Sequence, residues 1–213
     1  MDTRSKRAVG RRYTLLVIAT VIAASVVGAV AIMSRDRIDA NQRAWFVARL
    51  DALVPPSLRD NDLYADRIEV ADPDLLGTAA QVTIYRARKG GVPTAAILTA
   101  VAPEGYGGPI ELLVAVDYQG TVLGVDILRH NETQGIGDGF LPDRSNWLQS
   151  LIGRSLDNPT RSGWTIRKDG GAFDQFTGAS ITPRAILKAV RNALDYYSRR
   201  REEIFSRPSA HAD

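Results

Sequence analysis

The chain has 213 residues, a formal net charge of +3 and no cysteine. The missing thiols exclude a disulfide frame, a cysteine nucleophile and a thiolate-held iron–sulfur cluster, and with only His130 and His211 a zinc site would have to rest on carboxylates. The charge is unevenly placed: residues 1–13 hold Arg4, Lys6, Arg7, Arg11 and Arg12 against Asp2, a net of +4, so residues 14–213 carry −1 and lack the basic face that nucleic-acid binding requires.

Behind this tail, residues 14–33 read TLLVIATVIAASVVGAVAIM, with no charge and no polar face. Twenty helical residues at about 1.5 Å each cross roughly 30 Å, the thickness of a bilayer core. A cleaved signal peptide is the rival reading. The stretch is long for such a segment, and SRDRIDA after it lacks a small-x-small cleavage site, which favours an uncleaved anchor. Five cations before the span against Arg35 and Arg37 after it place the N-terminus in the cytoplasm. Residues 34–205 are then expected as a periplasmic domain of a protein that crosses the bacterial inner membrane once.

The spacing of Ile38, Trp45, Phe46, Arg49, Leu50 and Leu53 predicts a helix over 36–53, ended by Val54-Pro55-Pro56. Residues 57–78 read as irregular, with a short strand at 67–70. Strands are expected at 80–88 and 93–102 about the turn Lys89-Gly90-Gly91, and at 110–116 and 121–128 about Tyr118-Gln119-Gly120. A short helix over 146–152 would be capped by Ser145 and bury Trp147, Leu148, Leu151 and Ile152. Residues 164–168 read as a strand. A last helix, from Pro183 to about residue 200, would take Thr182 as N-cap and bury Ile186, Leu187, Val190, Ala193, Leu194 and Tyr197. The tail, 206–213, is expected to fray. Strand pairs with helices before and after them indicate an α+β domain.

Two segments do not suit packing. Arg129-His130-Asn131-Glu132-Thr133-Gln134-Gly135-Ile136-Gly137-Asp138-Gly139 follows a strand and alternates its glycines, which suits either a surface loop or a backbone that closely approaches a ligand. Asp174-Gln175-Phe176-Thr177-Gly178-Ala179-Ser180-Ile181-Thr182-Pro183 sets three hydroxyls before a helix start, which suits either an ordinary cap or an anion site.

These segments, with A-P-E-G-Y at 102–106 and K-D-G-G-A-F-D-Q-F-T-G-A-S-I-T-P-R-A at 168–185, resemble the FMN-binding domain of the G component of the Rnf electron-transport complex. The related C component of the sodium-pumping NADH:quinone reductase is the alternative within the same chemistry. A flavin-free membrane-anchored assembly protein is the alternative outside it. The resemblance covers the anchor too, with the flavin-binding part at about 80–200. The family's signature D-x-x-[ST]-G-A-[TS] is filled by Asp174, Thr177, Gly178, Ala179 and Ser180. The resemblance implies that Ser180, where relatives usually have threonine, is esterified to the phosphate of FMN, with Thr177 and Thr182 as lesser candidates. It implies Gly178, Ala179, Gly135 and Gly137 as backbone near the flavin, and His130, Glu132 and Thr133 as hydrogen-bonding groups. Asp174 would be recognised by the flavin transferase. The protein would be an electron carrier among other membrane subunits that couple ferredoxin and NAD(H) to ion movement, without catalysing alone, binding NAD or holding a metal.

Overall fold

The structure, a computed structural model, describes residues 3–176 and 179–210. The chain divides into two compact units, residues 1–46 and 47–213. The first consists of most of a single helix, α1 (Thr3–Leu53), which joins the predicted span and the predicted 36–53 helix without a break. Along it Val17, Ile18, Val21, Ile22, Val26, Val27 and Val30 are exposed, and the hydroxyl of Ser25 is satisfied by donating to the Val21 carbonyl at 2.8 Å. Among the described residues no helix is long and apolar enough to cross a membrane. The side chains of residues 14–16 and 19, within the expected span, lie outside the described set.

The second unit starts with the last turns of α1. Leu50 and Val54 are fully buried, and Arg49 donates to the Asp126 carboxylate and to the Ile127 carbonyl. The helix stops where the sequence predicts, because Pro55 and Pro56 cannot supply the N–H groups that would continue it.

Five strands follow: β1 (Arg67–Asp72), β2 (Thr78–Lys89), β3 (Val92–Ala102), β4 (Ile110–Asp117) and β5 (Val122–Arg129). They form one sheet in the order β1-β2-β3-β4-β5, every pair antiparallel. All expected strands up to residue 129 are present, the first four extended by one or a few residues and the fifth shifted by one. β3 and β4 are buried on both faces, which is why they read as apolar runs without alternation. One face, with Ile84, Leu98, Ala100, Leu112 and Val114, shares a core with Ile186, Leu187, Val190, Ala193, Leu194 and Tyr197 of α2 (Ile181–Ser206). The opposite face meets the end of α1. Gly124, paired with Ala115, has no side chain, and Leu53 fills the space: a Cβ there would lie 2.8 Å from its Cδ2.

The region between β5 and α2 departs most from expectation. The 146–152 helix is a single 3-10 turn, Leu148–Leu151. Ser145 does accept from the Trp147 N–H at 3.1 Å, and Trp147 and Leu151 are buried, but Ile152 is exposed. The 164–168 strand is not formed. Trp164 and Ile166 are buried in strand-like alternation, yet Ile166 makes only one isolated bridge, to Phe173, and residues Arg167–Asp169 turn into a 3-10 bend closed by Gly170 at φ +80°. Alternation reports burial, and among the described residues Ile166 finds one bridging partner and no strand edge.

The expectation of a frayed tail from residue 206 is also overturned as far as residue 210; residues 211–213 lie outside the described set. α2 runs to Ser206, and at its end Arg86 of β2, only 2% exposed, donates to the carbonyls of Ile204 and Arg207. Asp66 collects Arg86 at 2.7 Å, Arg88 at 2.9 Å and the Ser209 hydroxyl at 2.7 Å, and the Ala210 N–H donates to the Arg67 carbonyl. A buried guanidinium needs several acceptors, and the carbonyls at a helix end supply them.

Burial pushes the Asp66 carboxyl up, but the hydrogen bonds from Ser209 and Arg88 and the charge of Arg86 outweigh it and leave the group below its ordinary 3.8. Its contribution to stability is complete above that ordinary value and is lost as pH falls through the lower folded value. Asp66→Asn leaves Arg86 buried without its counter-charge and should destabilise the domain by about 3 kcal/mol at pH 7. Urea unfolding followed by the fluorescence of Trp147 and Trp164 measures this, and the difference from wild type should shrink below pH 4.

Candidate functional site

A cavity of about 400 Å³ opens where three segments of the second unit converge. The β3–β4 turn supplies Tyr106, the loop after β5 supplies Glu132, Thr133, Ile136 and Gly137, and the segment leading into α2 supplies Ala179, Ser180, Ile181 and Thr182. Its volume lies within the range, roughly 300–1,000 Å³, of pockets that take small ligands and cofactors. The two segments that read as unsuited to packing thus form one wall each.

Glu132 joins all three segments. It is only 5% exposed. Its Oε1 accepts from the Gly107 N–H at 3.0 Å, and its Oε2 accepts from the Thr182 hydroxyl. Three glycines make room for it, and a Cβ on the first, Gly105, would lie 2.8 Å from Glu132 Oε1. A Cβ on Gly107 would lie 2.0 Å from the Asn131 carbonyl oxygen, and one on Gly137 would lie 2.7 Å from Glu132 Oε2. All three approaches are closer than a side chain allows, so Gly137 of the loop and Gly105 and Gly107 of the β3–β4 turn serve close packing around a carboxylate, whereas Gly139 makes room for Phe176.

The expected cap of α2 is corrected by this bond. Thr182 lies within the first turn, fully buried, with its hydroxyl directed to Glu132 instead of to a helix N–H. Ser180 occupies the N-cap position and makes no side-chain capping bond. Its Oγ is half-buried in the cavity wall and accepts from Arg184 Nη1 at 3.4 Å. The Ile181 and Thr182 N–H groups precede the bond from the Arg184 N–H to the Ser180 carbonyl, so the positive end of the α2 dipole faces the cavity. Arg184 is itself paired with Asp169, whose carboxyl its hydrogen bond holds below the ordinary value.

Other predicted residues lie elsewhere. His130 does not line the cavity. Its Nδ1 accepts from the Glu132 N–H at 3.2 Å and its ring stands edge-on to Phe140 at 4.9 Å between centroids, so it shapes the loop from behind. Gly135, at φ +78°, donates to Asp138 Oδ1 at 2.8 Å and faces a neighbouring cavity on the other side of the loop. Asp174 is mostly exposed. Its carboxylate stands 3.2 Å from Arg167 and its carbonyl accepts from Trp147 Nε1. Thr177 and Gly178 lie outside the described residues. Sequence reasoning missed Tyr106, Ile136 and Ile181, which are 70%, 54% and 47% exposed around the cavity. The available signal was an apolar side chain set among glycines or hydroxyls, where no core would need it.

A family model described as FMN-binding domain matches residues 105–195. The ion-translocating oxidoreductase complex G subunit of Shewanella baltica (strain OS223) is 40% identical over 91% of this chain and 92% of its own length. The proteins of the same description from Pseudomonas aeruginosa (strain UCBPP-PA14) and Vibrio parahaemolyticus are 39% and 38% identical, over 97% and 88% of this chain and 96% and 90% of their own lengths. The chain belongs to the G-subunit family of ion-translocating oxidoreductase complexes. The segment that matches the FMN-binding domain begins at Gly105 and ends at Asp195, so it encloses every residue of the cavity wall named above.

The bond between Thr182 and Glu132 can be tested directly. Thr182→Val keeps the side-chain shape but leaves Glu132 Oε2 without its donor, and should cost about 1–3 kcal/mol in urea unfolding.

Proposed function

We propose that this chain is the membrane-anchored electron carrier of an ion-translocating ferredoxin:NAD oxidoreductase (Rnf) complex, with FMN held through a phosphoester to Ser180. The observation that carries the reading is the state of the two described hydroxyls at the head of α2. Thr182 is bound to a buried carboxylate, whereas Ser180 Oγ stands in the wall of a ligand-sized cavity with no capping bond to give up. The residues present fit the group. The start of α2 suits a phosphate, and the exposed Tyr106, Ile136 and Ile181 offer apolar surface to a flat ring.

Bound flavin supplies one- and two-electron transfer; the protein positions and tunes it. Ser180 prevents its loss, which matters on a face of the membrane where free FMN is not replenished. Glu132 places a buried carboxylate on the same wall, which disfavours further negative charge on the ring and so favours a low potential. Asp174, exposed beside the signature, is available to the flavin transferase.

The anchor is inferred from residues 14–33, uncharged over a bilayer's length, and from the cations before them. With the N-terminus in the cytoplasm, the second unit lies in the periplasm, where the outer ends of other membrane subunits are its partners.

Mass spectrometry of the peptide containing Ser180, from cells with an active flavin transferase, should show the added FMN phosphoester. An unmodified peptide overturns the reading. Ser180→Ala should abolish flavin fluorescence in a denaturing gel, and Ser180→Thr should keep it. For topology, a C-terminal alkaline phosphatase fusion should be active, and activity of a cytoplasmic reporter instead would reverse the orientation.

A further inference from the structure

Among the described residues, the wall of the cavity contains Glu132 but no cation. An FMN phosphate esterified at Ser180 is a monoanion, so attachment would bring a second negative charge to a wall that already holds a buried carboxylate. The nearest answer in the structure is Arg184. It stands one turn along α2 from Ser180 and therefore on the same side of the helix. It lines the groove on the far side of Ile181, a residue common to both cavities. Its Nη1 is 3.4 Å from Ser180 Oγ, long for a hydrogen bond to the hydroxyl. The non-bridging oxygens of a phosphodiester lie two bonds beyond that oxygen, across the phosphorus, and the guanidinium is already turned toward Oγ.

The rest of the guanidinium is held from behind. Nη2 donates to Asp169 Oδ1 at 2.9 Å and Nε donates to Oδ2, a two-pronged pairing that fixes its plane. Asp169 is fixed in turn. Its N–H donates to the Ile166 carbonyl at 2.9 Å, and Gly170 closes the bend behind it. With Nε and Nη2 engaged by one carboxylate, Nη1 is the corner left to face Ser180. Lysine, with a single ammonium on a flexible stem, could not be held and presented in this way.

We propose that Arg184 binds the phosphate of the flavin carried on Ser180, with Asp169 as the positioning residue that aims it. The inference rests on the attachment of FMN at Ser180. It adds a recognition element outside the D-x-x-[ST]-G-A-[TS] signature, four residues beyond its last position.

The test is phosphorus NMR of the detergent-solubilised, flavin-loaded full chain. The wild-type phosphodiester resonance should be displaced from that of a free FMN–serine ester, with a correlation to the guanidinium protons of Arg184. Arg184→Gln should move the resonance to the position of the free ester and abolish the correlation, while Arg184→Lys, which keeps the charge, should leave it between the two. Asp169→Asn should retain the correlation but weaken it. If Arg184→Lys and Arg184→Gln both keep the wild-type resonance, Arg184 does not bind the phosphate, although Ser180 remains the attachment site. A correlation unchanged in Asp169→Asn removes the positioning role. If the wild-type chain carries no phosphodiester at all, the reading of Ser180 fails and this inference fails with it.

Discussion

The site depends on how a single buried carboxylate is satisfied. Glu132 has no cation among the described residues of its cavity wall, and its two oxygens are met by a backbone N–H from the β3–β4 turn and by a hydroxyl from the first turn of α2. A buried carboxylate left without such donors is costly, so each segment is held in place by the requirement that Glu132 be bonded. The glycines follow from the same requirement. Gly107 can donate only because its backbone lies against the Asn131 carbonyl, and Gly137 can pass Oε2 only without a Cβ. The cavity is what remains between three segments fastened to one point.

That arrangement also separates the two described hydroxyls at the head of α2. Thr182 faces inward and closes the tie, and Ser180, two residues earlier, lies where the helix starts and where its hydroxyl makes no capping bond. Substituting threonine for Ser180 adds a methyl group at a half-buried position beside an open cavity, so the same role suits either residue. At Thr182 the demand is stricter, because the methyl is fully buried and the hydroxyl is bonded.

Much of this was legible in the sequence. The strands up to Arg129 declare themselves by β-branched runs between glycine turns, and α2 by the spacing of Ile186, Val190, Ala193 and Tyr197. Ser180, Glu132, Thr133, Gly137 and Ala179 do meet in one wall. What escaped were features decided by distant partners. Thr182 looks like a cap because a hydroxyl before proline commonly is one, and only the approach of Glu132, fifty residues away, redirects it. His130 has the chemistry of a ligand contact, yet its ring nitrogen is engaged by the backbone of its own loop. Residues 164–168 alternate like a strand, but strand identity requires a partner that the local sequence does not contain. The tail beyond residue 206 is polar and looks free, because nothing near it in sequence announces Arg86 and Asp66.

The clasp at that tail bears on the site despite lying at the other end of α2. A helix of 26 residues attached only through its apolar face could slide or tilt against the sheet, since such packing is broad and weakly directional. Here the C-terminal end is fixed by Arg86, which reaches the carbonyls of Ile204 and Arg207 from β2, and the N-terminal end by Thr182 on Glu132. These ties at the two ends, with others between them such as the Tyr197 hydroxyl donating to the Tyr118 carbonyl and Arg161 paired with Asp195, remove the sliding freedom that burial leaves. The first turn of α2, with Ser180 and Arg184, is thereby set relative to β2 and to the loop after β5. A ligand held at that turn would inherit its position without the loop having to close over it.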